Sequence, residues 1–278
     1  MYKYVAVLMM LVGFSFVSIA KAEDAPAAKP AKLKVLYITG GGFHDYKTLT
    51  PFLTEKIAKY ANVEIDVKWM EPAFDNPKLG EGYDAIIFNF CFGKEFTKDK
   101  FENAYKPVFE GKPAVMLHCS MHCFKPSDEW TDCCGMRTRA HDPFTAFAVE
   151  KATKDHPLMK TFPDDWKTAG DELYQTIKFG ERSTALLKAK SPKTGQEHIC
   201  AWVSTYGKGK VFGTTLGHDL KTCGMESYQQ LVANGLLWAC GKLGEDGKPL
   251  PGYEGDPNAK APASATMPAP AAPAPAAK

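Results

Sequence analysis

The sequence predicts an α/β fold: a three-layer domain built on a doubly wound, mostly parallel sheet, with an added β-rich segment. In the first half of the chain, short apolar runs of strand-forming residues alternate with helical patterns, which is typical of βαβ units. In the second half, strand patterns follow one another with little helix between them. The chain therefore combines a parallel core with a region of a different character.

The first predicted strand, residues 34–39, is rich in β-branched and aromatic residues and runs into three glycines, residues 40–42. A nearly continuous apolar run of this kind is typical of a strand covered on both faces. Apolar residues between positions 49 and 58 then recur at helical spacing. The rest of the first half is predicted to form strands at 63–69, 84–90 and 114–119 and a helix at 96–109.

The second half contains five further predicted strands, at 144–151, 171–177, 184–190, 199–205 and 210–216. A helix predicted at residues 228–240 closes the domain, and its apolar stripe must cover the sheet.

The N-terminus has the layout of a secretory signal peptide, predicted to span residues 1–22. Lys3 precedes an apolar run from position 5 to 20, and Ala20-Lys21-Ala22 reads as a small-x-small cleavage site. The alternative is a membrane anchor, but the run is shorter than the roughly 20 residues that a spanning helix needs. We therefore expect an exported protein, periplasmic or extracellular, with no membrane span in the mature chain.

The folded part is predicted to span residues 33–243. Residues 23–32 look like a linker, and residues 244–278 look like a disordered Pro/Ala-rich tail, because such a composition offers little apolar surface to bury. Residues 1–22 hold two of the 34 basic residues and none of the 32 acidic ones, so the rest of the chain has a formal net charge of zero. No basic cluster with interleaved aromatics is present, which argues against a nucleic-acid partner.

Four chemically suggestive clusters lie at or near the ends of predicted strands, where open α/β sheets bind ligands. The first is the glycine run followed by His44. It lacks the G-x-G-x-x-G pattern of a dinucleotide site. It is either a turn that needs positive φ or a place where Gly41 and Gly42 let the backbone approach a ligand beside His44.

The second cluster, residues 118–123, follows the predicted strand at 114–119. A nucleophile elbow would place Cys119 between small residues two positions away on each side, but Leu117 and Met121 stand there. His118 and His122 are four residues apart, a spacing that holds a divalent metal such as zinc if a helix begins here. The alternative is that these side chains only line the turn and the core.

The third and fourth clusters are Asp171 to Tyr174 and the segment that ends in His218. Glu172 and Tyr174 share one face of a strand, so both can face a cleft, whereas Asp171 points to the other face. A carboxylate beside a histidine suits acid–base chemistry. A solvated edge or an ion pair is the alternative for the two acids.

Eight cysteines in an exported chain predict at least one disulfide, although the spacing does not fix the pairing. Cys91 follows the predicted strand at 84–90 and is expected near the same edge of the sheet as Cys119. Cys240, inside an apolar helix, is expected to be a buried thiol.

An ordered set of short motifs resembles the ThuA-like (trehalose utilisation) family over residues 33–243. The set comprises VLYITGGGFHD from position 35, the strand ending at His118, HDPF from 141, DHP from 155, DELY from 171 and GKVFGTTLGH from 209. The resemblance implies a class I glutamine amidotransferase-like, flavodoxin-like fold in which His118 replaces the catalytic cysteine. The chain is therefore not expected to be a glutamine amidotransferase.

The resemblance also implies a small carbohydrate or carbohydrate-derived ligand. The residues expected to line the cleft are His44, His118, His141, Glu172, Tyr174 and His218. The cysteines, notably Cys133 and Cys134, are not part of the general family pattern and leave a redox or metal variation open.

Three functions remain open from the sequence. The first is an enzyme on a sugar or an oxidised (keto) sugar, with His118, Glu172 and His218 exchanging protons. The second is a sugar-binding or accessory module without chemistry, in which Tyr174 and Phe43 stack on the sugar. The third is a metal-dependent hydrolase with a bound divalent ion such as zinc.

Overall fold

The structure is a computed structural model that describes residues 30–69, 71–92, 97–123 and 127–268. The predicted signal peptide lies outside these residues. Within them, no helix has the length and apolarity needed to cross a bilayer.

In this part of the chain we number the strands and α-helices in chain order, with the following bounds: β1 Leu33–Gly41, α1 Tyr46–Tyr60, β2 Val63–Trp69, β3 Ala85–Cys91, α2 Lys98–Glu110, β4 Ala114–Leu117, α3 Asp128–Cys134, β5 Met136–His141, β6 Ala148–Lys151, α4 Pro157–Lys160, β7 Trp166–Lys167, β8 Tyr174–Phe179, β9 Thr184–Lys190, β10 Glu197–Tyr206, β11 Gly209–Thr214, α5 Leu220–Cys223 and α6 Glu226–Ala239.

Nine of the strands form one sheet in the order β2-β1-β3-β4-β11-β10-β9-β6-β7. The first five are parallel to one another, and each later strand pairs antiparallel with its neighbour. β5 and β8 form a separate two-stranded antiparallel sheet. The prediction of a mostly parallel sheet with an added β-rich segment is confirmed, and the parallel half has the flavodoxin-like strand order.

Helices cover both faces of the parallel half, which gives the predicted three layers. On one face, Val35 and Tyr37 pack in a core with apolar residues of α1 and α6. On the other face, Leu36 and Ile38 pack with residues of α2 and α3. Alternate residues of β1 therefore enter opposite cores, which is why the strand reads as a continuous apolar run.

β2 pairs with one edge of β1, and β3, the next strand along the chain, pairs with the other edge of β1. At such a switch point the loops after the two strands diverge and leave a crevice at their carboxyl ends. The crevice here lies beside the glycine turn after β1 and the end of β3.

Several boundaries differ from the predictions for a structural reason. The predicted strand at 114–119 ends at Leu117, because residues 118–122 form a 3-10 turn. The strand predicted at 171–177 begins only at Tyr174, because Asp171 forms an isolated bridge with Thr145 instead. α3 and β5, between residues 128 and 141, were not predicted.

The prediction of a disordered tail from residue 244 is wrong for residues 244–268, which lie on the domain. The Val67 N–H donates to Ser264 Oγ at 3.1 Å, and the Trp69 indole donates to the Ser264 carbonyl at 2.9 Å. Ala265 is buried against the core. β2 is the edge strand, so its outward N–H groups need partners, and the Pro-rich segment supplies one. The rest of the tail lies outside the described residues.

Candidate functional site

Four loops meet at the carboxyl ends of adjacent parallel strands and carry three of the predicted histidines. His44 follows β1, His118 follows β4 and His218 follows β11. The ring centroid of His44 lies 4.7 Å from that of His118 and 4.9 Å from that of His218. The parallel half therefore brings three imidazoles into contact at one rim of the sheet.

The glycine turn after β1 sets the position of His44. Gly41 has a φ of +115°, and a Cβ there would lie 2.0 Å from the Cys91 carbonyl oxygen of β3. Only glycine allows this backbone conformation and this approach. Gly42 has open space where a Cβ would stand, and it lines a cavity of about 420 Å³ together with His44 and His218.

His118 is held in a strained backbone conformation at the end of β4. Its φ is 46°, a left-handed value that non-glycine residues rarely adopt. The ring is buried, and Nδ1 lies 2.6 Å from the Thr215 carbonyl oxygen. A carbonyl only accepts, so Nδ1 must carry the hydrogen, and in the neutral ring Nε2 has a free lone pair.

The pKa of His118 lies well below its usual value of 6.5, first because the ring is buried and second because His44 is close. Burial also lowers the pKa of His44 to about 4, with His218 and His141 adding to the effect. Both rings are therefore neutral at pH 7. His118 Nε2 faces the Tyr174 hydroxyl at 3.3 Å and is available as a base.

Glu172 lies at the centre of the cluster. One of its carboxylate oxygens is 3.7 Å from His118 Nε2, and the other is 3.5 Å from both His141 Nδ1 and His218 Nε2. Its side chain is largely buried. One carboxylate thus faces three imidazoles, each at a distance slightly longer than a hydrogen bond.

The two-stranded β5–β8 sheet supplies the outer wall of the cluster. His141 pairs with Tyr174 across the two strands, and their rings stack at 5.6 Å. His141 Nδ1 lies 2.9 Å from the Asp142 carbonyl oxygen, which therefore accepts its hydrogen and leaves Nε2 for the solvent side. Burial raises the pKa of the Tyr174 phenol, so this hydroxyl stays protonated.

Asp171 organises the site although its neighbour Glu172 is the residue that faces the cleft. Its buried carboxylate accepts hydrogen bonds from the backbone N–H groups of Gly217 at 2.8 Å and His218 at 3.2 Å. It also accepts from the N–H of Glu172 at 2.9 Å. Burial raises the pKa of Asp171 to about 6, against the lowering effect of these donors. This role of Asp171 was not predicted from the sequence, in which its place next to Glu172 was the available signal.

The mouth of the cavity has exposed aromatic side chains. Phe43 is 64% exposed, and the partly exposed Phe144 lies 5.1 Å from the His218 ring. Lys221 Nζ stands 5.0 Å from the centre of the Phe144 ring. Phe144 and Lys221 were not among the predicted site residues, because their approach depends on a contact between distant loops.

The proposed metal pair His118 and His122 has a different setting from the one expected. The turn that carries them is a 3-10 helix, in which residues three apart share a face, rather than an α-helix. His122 Nδ1 lies 2.7 Å from Thr138 Oγ1, and its ring packs against Tyr174. Metal binding by this pair stays a prediction.

A disulfide joins Cys91 at the end of β3 to Cys119 in the turn after β4. This confirms the expectation of at least one disulfide and gives its pairing. Cys119 is therefore not a free nucleophile. Burial raises the pKa of the thiols of Cys133, Cys134, Cys200 and Cys223, which makes them poor nucleophiles.

A comparison with protein families matches residues 34–239 to the model of the family described as ThuA, trehalose utilisation. Two solved ThuA-like proteins share the fold. One is from Parabacteroides merdae ATCC 43184, with 18% identity, 85% of this chain and 99% of that chain covered, and a TM-score of 0.68. The other is from Bacteroides uniformis ATCC 8492, with 16% identity, 78% and 94% covered, and a TM-score of 0.63.

A third similar structure is the carbohydrate deacetylase Agd3. It is 11% identical, the match covers 77% of this chain and 33% of that chain, and the TM-score is 0.51. At these identities the likeness shows the fold alone. None of the curated proteins compared with this chain matches it in sequence.

Proposed function

The chain belongs to the ThuA (trehalose utilisation) family, and from this premise we propose that it is an exported enzyme that performs His/Glu acid–base chemistry on a carbohydrate or an oxidised (keto) sugar. The observation that carries the proposal is the Glu172 carboxylate, which faces the rings of His118, His141 and His218 at 3.5–3.7 Å.

His118 is the proposed general base. Its Nε2 is unprotonated at pH 7 because burial lowers the pKa of the ring, and Nδ1–H is fixed by the Thr215 carbonyl. When Nε2 takes a proton from a sugar hydroxyl or from a carbon next to a carbonyl, the resulting imidazolium lies 3.7 Å from the Glu172 carboxylate. That negative charge stabilises the imidazolium.

His218 is the proposed partner for returning a proton. Its Nε2 faces the other oxygen of Glu172, and the ring lines the cavity that Gly42 and His44 also line. A proton held between Glu172 and His218 is thus delivered to a different atom of the ligand from the one that His118 deprotonates. Two separate proton sites are what an enolisation or elimination at a keto sugar requires.

The cavity fits a small carbohydrate. Its volume of about 420 Å³ lies within the range of roughly 300–1,000 Å³ for small-molecule sites. Phe43 and Phe144 offer exposed aromatic faces for the apolar face of a sugar ring, and Asp219 and Lys221 offer polar partners beside them. The fold shared with a carbohydrate deacetylase supports a sugar ligand only as an analogy.

Export is supported by the signal-peptide pattern of residues 1–22 and by the Cys91–Cys119 disulfide, which suits an oxidising compartment. Mass spectrometry of the protein recovered from a secreting host should find a chain that begins at Glu23. Recovery of the uncleaved chain from the cytoplasm would contradict export.

The test of catalysis uses a panel of mono- and disaccharides and their singly oxidised keto derivatives, incubated with the protein in D2O. The wild type should exchange or eliminate the hydrogen on the carbon next to the carbonyl. His118→Gln and Glu172→Gln should each slow this reaction by about 10²–10⁴-fold. His156→Asn is the matched control, because His156 caps α4 and contacts Trp238 outside the cluster.

The same panel separates the other functions. A sugar that raises the melting temperature of the wild type but is never altered would identify a binding module. Turnover that disappears with a chelator and returns with zinc would identify a metal-dependent hydrolase. Normal turnover in both variants would make the assignment of His118 and Glu172 wrong.

A further inference from the structure

Beneath the cleft, three side chains with metal-binding atoms meet at the ends of neighbouring strands. They are His44 after β1, Cys91 at the end of β3 and Cys119 after β4, and one ligand atom from each lies within 4.8 Å of the other two. β3 lies between β1 and β4 in the sheet, so the convergence follows from the strand order.

Backbone packing fixes the positions of two of these groups, His44 and Cys91. Gly41 and Cys91 are partners in the β1–β3 register, and the missing Cβ of Gly41 lets the turn lie against the Cys91 carbonyl. His44 is three residues beyond this contact and is followed at once by Asp45, the N-cap of α1. The short segment that carries the His44 imidazole is therefore fixed at both of its ends, and this holds the ring close to the two sulfur atoms.

His44 has an unmet polar atom. Its Nδ1 is buried and finds no hydrogen-bond partner among the residues that the structure describes. A buried nitrogen without a partner costs about 1–3 kcal/mol, and it calls for an explanation such as an ion or a water. A disulfide that served only as a clamp between β3 and the turn after β4 would leave this nitrogen unexplained.

We propose that His44, Cys91 and Cys119 form a zinc site that fills when the Cys91–Cys119 disulfide is reduced. Two thiolates and one imidazole are the donors that Zn²⁺ prefers, and three protein ligands leave the fourth tetrahedral position for water or a ligand. On one tetrahedral zinc, two thiolates lie about 3.8 Å apart. The Cα atoms of Cys91 and Cys119 are 5.3 Å apart, which allows that separation.

The redox step is balanced by a dithiol reductant. The dithiol gives two electrons to the Cys91–Cys119 bond, each sulfur takes one proton, and the reductant leaves as its own disulfide. Zn²⁺ then binds the two sulfurs and releases both protons. The oxidised chain has no thiolate at this place, so the disulfide keeps the site closed to the metal. Zinc binding at this site requires neither a sugar nor turnover, so it is independent of the proposed enzyme activity.

The experiment uses the mature chain from residue 23, divided into an untreated sample and one treated with dithiothreitol and desalted without oxygen. Each is titrated with Co²⁺, which reports thiolate ligands by a charge-transfer band in the near ultraviolet. The reduced sample should bind one Co²⁺ per chain with this band, and added Zn²⁺ should abolish it. The untreated sample should bind at least about tenfold more weakly.

Variants then assign the ligands. Cys91→Ser and Cys119→Ser should lose the band after reduction, and His44→Gln should weaken Co²⁺ binding by at least about tenfold. Cys240→Ala, which changes the C-cap thiol of α6, and His156→Asn, which changes the N-cap of α4, should keep it. Alkylation and peptide mapping check that reduction frees the two expected cysteines.

The comparison of the reduced and the untreated wild type does not depend on whether any variant folds. A reduced, folded chain that binds no Co²⁺ would overturn the proposal. A band that persists in Cys119→Ser, or equal binding before and after reduction, would overturn it as well.

Discussion

The two halves of the sheet contribute to the site in different ways. The parallel half ends in His44, His118 and His218, which stand on loops directly after buried strands. The antiparallel half, together with the separate β5–β8 sheet, contributes Glu172, Tyr174 and His141, at or near β5 and β8. The bases thus sit on the core of the fold, whereas the carboxylate that organises them arrives from the added segment. Neither half holds the proposed chemistry alone.

Specific contacts join the halves at the site. Asp171 accepts from the N–H groups of Gly217 and His218 across the gap. The Tyr174 hydroxyl meets His118 Nε2. Changes in one half should therefore alter the position or the activity of residues in the other half.

The largest effect is expected when one proton-transfer residue is removed from each half. His118→Gln and Glu172→Gln should each lower kcat/KM on a confirmed substrate by about 10³-fold, and the double variant should fall little further. The two residues act as one unit, so their effects should not add. Multiplicative losses would show that the halves act independently.

Asp171→Asn tests the contact between the halves. Asn keeps the shape but replaces one acceptor oxygen with a donor that faces backbone N–H groups, so the turn with His218 should loosen. We expect kcat to fall about tenfold. A KM effect without a kcat effect would argue that the contact positions the ligand and leaves the proton transfer untouched.

Asp171→Asn should also change how the free energy of unfolding depends on pH. The pKa of Asp171 is raised to about 6 in the fold, so the carboxyl contributes stability that is present below its unfolded pKa and lost as pH rises through about 6. Between pH 4 and pH 7 the wild type should lose about 2 kcal/mol relative to Asp171→Asn. Denaturant unfolding at both pH values measures this difference, and parallel curves would contradict it.

His44, on the parallel half, should make stability depend on pH in the opposite direction. Its pKa is lowered to about 4 by burial, so its contribution is present above pH 6.5 and lost as pH falls. Between pH 6.5 and pH 4, the wild type should lose roughly 2 kcal/mol more than His44→Gln, after allowance for partial exposure of the ring. His156→Asn serves as a comparison with a histidine outside the cluster.

The smallest effect is expected on β2, the edge strand of the parallel half, which contributes no residue to the cluster. Ser264→Ala removes the acceptor for the Val67 N–H and should cost about 1 kcal/mol of unfolding free energy, with no change in turnover. Thr266→Ala, at an exposed neighbour, should change neither. Equal effects of the two would mean that the tail contact on β2 contributes nothing.

The parallel half was predictable because β1, β3, β4 and β11 are largely buried on both faces and read as local apolar runs, while the edge strand β2 shows a regular alternation of buried and more exposed residues. For the same reason, the glycine turn and the histidines that follow these runs could be placed at the ends of the strands from the sequence. The antiparallel half was predicted less well. α3 and β5 were missed, and the strand start at Tyr174 was displaced by the bridge between Thr145 and Asp171.

The sequence by itself determined the order of the strands in the parallel half, the family, and which residues stand at the ends of those strands, because these follow from local patterns of burial and turn residues. Only the tertiary structure decided the proton positions on His118, the role of Asp171, the pairing of Cys91 with Cys119 and the docking of the tail on β2. Each of these depends on the approach of groups that are 28 or more residues apart along the chain. Side-chain packing and strand register set such contacts, and no local pattern encodes them.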